Sequence, residues 1–174
     1  LPEQRRIAAL LAEQIAAVER ARHAVEAQLV AAETLPVAYL RAVFDSPQAQ
    51  NWPRQPLADV CELLPAKSIA TDGDTEVRAI TTACLTESGF RTEGIKVARM
   101  WTDDARVCRV SPGEVLIARS NTSELVGRVA MFAGEPEGAV ASDLTIRIMP
   151  RLGLLSPFLA AYLSSLFLTG YWKE

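Results

Sequence analysis

Histidine is almost missing from this chain: His23 is the only one in 174 residues. It stands beside an apolar stripe on an otherwise polar helical face, where a solvated imidazole is the ordinary outcome. This scarcity argues against a small hydrolase, and no carboxylate pair, phosphate-binding loop or nucleophile elbow occurs at usable spacing. Cysteine is also scarce. Cys61, Cys84 and Cys108 are odd in number and too widely spaced for a metal knuckle, which points to reduced core or sheet residues in a cytoplasmic protein. Neither a metal nor another cofactor is expected. "TDGDTE" (71–76) lacks the spaced ligands and closing glutamate of a calcium loop, and reads as a hairpin turn. No leader pattern is seen, because Arg5 and Arg6 run straight into Ala- and Glu-bearing helix. The apolar tail from Leu152 to Tyr171 is interrupted by Pro157, Ser164, Ser165 and Thr169 without flanking charge asymmetry, so it is expected to be a buried helix and not a membrane span.

Lysine is the third scarcity, with three against fifteen arginines. The net charge of −3 and pI near 5.3 give no bulk attraction for nucleic acid. Arginine nevertheless carries the planar fork suited to base edges and phosphates. A GC-rich genome accounts for the same bias. Residues 1–44 carry five basic and five acidic groups, which leaves thirteen against sixteen in the rest. Any contact with DNA would therefore depend on a local basic patch.

What the chain has in abundance is helix former at its start. Leu11, Ile15, Val18, Val25 and Leu29 are spaced by four, three, seven and four, a heptad seam flanked by alanine. So narrow a stripe suits one partner helix, and a rod of roughly 45–50 Å follows from ~1.5 Å per residue. Thr34-Leu35-Pro36 is expected to break the rod, with Val37–Phe44 a separate short helix carrying Leu40, Val43 and Phe44. "DSPQAQNWPRQP" then reads as a linker, dividing a helical region (1–44) from a second domain (45–174). Short β-type runs follow at 76–82, 107–110, 114–118, 128–132 and 144–148. "SPFLAAYLSSLFLTG" closes the chain as a helix, with Ser156 as N-cap and Gly170 as the stop. The fold class expected is α+β: a long N-terminal coiled-coil helix, then a β-rich domain closed by a helix.

One stretch stands out. In "SPGEVLIARSNTSELVGRVAMF" (111–132) a buried strand, Val115–Ile117, runs into Arg119, Ser120, Asn121 and Thr122 before a second strand returns. Arginine and asparagine read guanine and adenine edges bidentately, and hydroxyls reach phosphates. The same residues also fit an ordinary polar hairpin loop whose hydroxyls cap their own backbone. Lys67, Ser68, Arg78 and Arg91 are the candidate phosphate or flanking contacts.

"EQRRIAALLAEQIAAVERAR" followed by "LPVAYLRAVF" resembles the helical region of type I restriction–modification specificity subunits. "LADVCELLPAKSI", "PGEVLIARSNTSELVGRVAMF", "ASDLTIRI" and "SPFLAAYLSS" resemble successive blocks of that family's target-recognition domain. The resemblance spans nearly the whole chain in the right order. It implies a subunit that is not itself a catalyst. Such a subunit directs a modification (methyltransferase) subunit and a restriction (translocase and nuclease) subunit to a bipartite duplex site. The seam would then pair with a second specificity half or a second copy and set the distance between half-sites. A complete subunit of the family has two recognition domains and two helical regions; one of each here implies a fragment or half-subunit, truncated at the C-terminal end. The rival reading is a coiled-coil interaction module whose β domain binds protein.

Overall fold

The computed structural model describes residues 1–119, 122, 124–151 and 153–173. They form two compact units, Leu1–Val43 and Phe44–Glu174.

The first unit is helical throughout, part of a helix, α1, that spans Pro2–Phe44. The expected break at Thr34-Leu35-Pro36 does not occur: Pro36 lies inside α1, and no separate helix begins at Val37. A proline removes one donor, here the partner of the Ala32 carbonyl, and an exposed turn lets water take that acceptor. No residue of α1 is buried, and the five seam residues are 51–65% exposed. Its exposed ion pairs, Glu3–Arg6 at 2.7 Å and Arg22–Glu26 at 2.9 Å, are screened by water and steady the helix only weakly. Length and alanine content, not burial, sustain this helix.

The second unit opens with two single-turn helices, α2 (Pro47–Gln50) and α3 (Leu57–Val60). The first lies within the stretch expected to be linker. The Ser46 hydroxyl accepts from Ala49 N at 3.1 Å to cap it, and Ala49 is buried. The strands are β1 (Cys61–Leu64), β2 (Thr75–Ile80), β3 (Leu85–Thr86), β4 (Gly89–Phe90), β5 (Lys96–Met100), β6 (Val115–Ala118), β7 (Val129–Met131), β8 (Val140–Ala141) and β9 (Thr145–Pro150). Helix α4 (Thr102–Cys108) lies between β5 and β6, and α5 (Ser156–Leu168) follows β9. The result is α+β.

Among the described residues the strands form three sheets: β1-β9-β6-β7, fully antiparallel; β5-β2-β8, in which β2 and β8 are parallel; and the β3-β4 hairpin. Strand β6 is buried on both faces, and its period of two divides the core. Val115 and Ile117 join Val129, Ile148 and the α5 residues Leu159 and Leu163. Leu116 and Ala118 join Ile80, Leu85, Ala130 and Phe132 on the opposite side. Burying each large side chain contributes about 1.5–3 kcal/mol.

Four of the expected strands are present with small shifts of boundary; the run at 107–110 is not a strand. Val107 and Cys108 end α4, and Arg109 makes only an isolated bridge to Val140. The cause is long-range: Asp74 Oδ1 accepts from Thr102 N (2.7 Å) and Thr102 Oγ1 (3.0 Å), satisfying the start of the helix from 28 residues away. Strands β1 and β5 carry no local signature, and pairing with β9 and β2 makes them. Ser156 is the first residue of α5 and not its cap, which is Leu155, without a side-chain bond. Gly170 stands just past the end at φ +82°, in agreement with the expected stop.

Candidate nucleic-acid interface

A buried ion pair anchors the start of the strand that leads to the candidate reading loop. Arg147, in the middle of β9, lies opposite Leu116 of β6 and Leu64 of β1. Its Nε and Nη2 each donate to the Glu114 carboxylate at 2.9 Å, and the two side chains are only 2% and 1% exposed. The guanidinium also donates to the carbonyls of Pro65 (2.6 Å), Val107 (3.0 Å) and Arg109 (2.6 Å), and Glu114 Oε1 accepts from Ser111 N (2.7 Å). Every arm of the pair has a partner, the condition under which a buried pair is tolerable. It fixes the entry to β6, the end of α4 and the centre of the sheet at one point.

Arg119 leaves β6 at the far end. Its N–H donates to the Leu144 carbonyl at 2.9 Å, while its exposed side chain makes no hydrogen bond among the described residues. Ser120 and Asn121 lie outside the described residues. Thr122 is exposed, and its carbonyl accepts from Leu125 N (2.9 Å) and Val126 N (3.2 Å), which closes a tight turn. The turn ends at Gly127, whose φ of +86° favours glycine and whose missing Cβ leaves room for the Trp172 indole; a methyl there would stand 2.5 Å from Cδ1. Arg128 then reaches toward Glu87 at 3.5 Å, and its buried Nε has no partner among the described residues.

The structure brings Lys67 and Ser68 to this end through the turn after β8. Lys67 bridges Ser142, and its carbonyl accepts from Asp143 N, one residue before the Leu144 that holds Arg119. The Ser68 hydroxyl donates to Asp143 Oδ2 at 2.6 Å, so a phosphate would compete with a carboxylate for it. Arg91 stands past the β3-β4 hairpin and donates to Ser88 Oγ at 3.1 Å; Glu87, one residue earlier than that serine, meets Arg128. Arg78 is on a different sheet, at the middle of β2, donating to the Glu137 carbonyl. Beside it line up Arg106 of α4 and Arg109 just past its end, two arginines that no local pattern in the sequence singles out.

No group of three or more His, Cys, Asp or Glu that could hold a metal occurs among the described residues. Burial pushes the Cys61, Cys84 and Cys108 thiols above their usual range, which keeps them neutral and unreactive. No helix among the described residues is long and apolar enough to cross a membrane.

No family model and no curated protein matches the sequence. Solved structures do. A chain from a study of complex assembly and conformational transition in the type I R-M system superimposes with a TM-score of 0.63 at 20% identity, covering 94% of this chain and 41% of that one. The HsdS subunit from Thermoanaerobacter tengcongensis gives a TM-score of 0.56 at 20% identity, with 95% and 41% covered. The fold is thus that of these proteins, and the chain spans about two-fifths of their length.

Proposed function

We propose that this chain is a DNA-reading part of a type I restriction–modification specificity subunit. In this reading it is not a catalyst, and it directs a methyltransferase subunit and a translocating nuclease subunit to one half of a bipartite duplex site. The observation that carries the reading is the fold likeness over 94% of the chain to a chain of the type I R-M system. It also accounts for both units: a long helix with an unpartnered seam for pairing, and a domain that ends a rigid strand in an exposed arginine. Arg119, with Ser120, Asn121 and Thr122, would read base edges. Lys67, Ser68, Arg78 and Arg91 would meet phosphates, and Leu11, Ile15, Val18, Val25 and Leu29 would pair with a second helix.

The test is methylation by the chain assembled with its methyltransferase partner. One good bidentate contact is worth roughly 1–3 kcal/mol, so Arg119→Ala should cut discrimination at one base pair about tenfold to a hundredfold. Its side chain is exposed, so thermal stability should hold. Lys67→Ala should instead weaken all sequences alike and flatten the salt dependence by about one unit. A chain that binds a protein partner while its complex ignores duplex sequence would overturn this reading in favour of a protein-binding module.

A further inference from the structure

A cleft of about 630 Å³ opens where β2, β8 and α4 meet. Three guanidinium groups line it: Arg78 from β2, Arg106 from α4, and Arg109, whose backbone is tied to Val140. Glu76 is the one carboxylate among the lining residues, so the cleft carries an excess of two positive charges in a chain whose net charge is −3. These cations are poorly neutralised. Arg78 donates to a backbone carbonyl, Arg106 meets only an exposed Asp103 at 3.7 Å, and Arg109 makes no side-chain ion pair among the described residues. Each stands on a rigid support. Arg147 donates to the Arg109 carbonyl at 2.6 Å, Arg78 lies in the central strand of its sheet, and Asp74 secures the start of α4. Thr75 and Thr102 add hydroxyls to the lining.

We propose that this cleft binds a phosphate oxyanion, and that the oxyanion belongs to the backbone of the duplex. Convergent cations on a concave surface focus their field, and the planar arginine fork matches phosphate oxygens two at a time. The cleft lies on the β5-β2-β8 sheet, whereas the candidate reading loop leaves the β1-β9-β6-β7 sheet. The cleft thus adds a phosphate grip on the second sheet to the Lys67, Ser68 and Arg91 contacts assigned above. The proposal rests on the DNA-reading function above, and adds Arg106 and Arg109 to the residues that meet the duplex.

The experiment uses the full chain and the double variant Arg106→Gln/Arg109→Gln. Both residues are exposed, and an unchanged melting temperature verifies the fold. Binding of a duplex of arbitrary sequence is followed by anisotropy across a salt series. The variant should bind about tenfold more weakly at low salt, and its log–log salt slope should shrink by about two units, at ~0.9 for each phosphate no longer neutralised. Equal affinity and slope for the two chains would overturn the cleft while the DNA reading stood. Sodium pyrophosphate supplies the second arm. If it raises the melting temperature of the wild type and not of the variant, while neither chain binds duplex, the backbone source is overturned together with the DNA reading. No response to either probe would overturn the cleft outright.

Discussion

Replacing Glu114 with glutamine should unfold the second unit far more readily than any surface change. Arg147 would keep its charge in a site where it is 2% exposed, facing an amide instead of a carboxylate. Removing one partner of a buried pair costs about 3–5 kcal/mol, a large fraction of the ~5–15 kcal/mol that holds a domain together. Arg147→Met should cost at least as much. It strands the Glu114 charge and also leaves the carbonyls of Pro65, Val107 and Arg109 without their shared donor, at roughly 1–3 kcal/mol for each that water cannot reach. The double variant Glu114→Gln/Arg147→Met should recover the charge penalty and not the carbonyl penalty, so it should remain at least ~2 kcal/mol below the wild type. The assay is urea unfolding followed by tryptophan fluorescence. Trp52, Trp101 and Trp172 all lie in the second unit, so the signal reports that unit alone. The melting temperature should fall on the order of 10–20 °C for Glu114→Gln. A variant within about 1 kcal/mol of the wild type would refute the idea that this pair organises the fold.

Four further outcomes are expected. The chain should self-associate through α1, where Val18 and Val25 are 65% and 63% exposed; Val18→Glu/Val25→Glu should sediment as a monomer, and a wild type already monomeric at high concentration would defeat the idea. Gly73→Ala should destabilise the second unit by about 1–3 kcal/mol, because its Cβ would stand 2.4 Å from the Met100 carbonyl carbon, which is backbone and cannot swing aside; an unchanged unfolding midpoint would contradict this. The three buried thiols should resist a thiol reagent until denaturant is added. Since burial raises their pKa values, their contribution to stability is fully present below the unfolded thiol value of about 8.5 and is lost as pH rises toward the folded values, so unfolding midpoints should drop in alkali.

Much of this protein was legible one residue at a time. The long helix α1 shows in composition and spacing alone, because alanine and other strong helix formers run through nearly all of it. Strands β2, β6, β7 and β9 were visible as β-branched runs between turn residues, and α5 as an apolar run between Pro157 and Gly170. The exposed arginine after β6 was equally legible, since a buried strand ending in polar residues announces a loop. The tertiary structure decided the rest. Pro36 is the exception, since it stays within α1 where an exposed turn lets water take the freed carbonyl and no burial is involved. Residues 107–108 are helical because Asp74, just ahead of β2, reaches the start of α4. Arg106 and Arg109 share a cleft with Arg78 only because α4 packs on β2 and β8. The pairing of Glu114 with Arg147, 33 residues apart, depends on β6 lying against β9. In the second unit the deciding contact each time lies across the fold, and local propensities of a few tenths of a kcal/mol yield to contacts worth several.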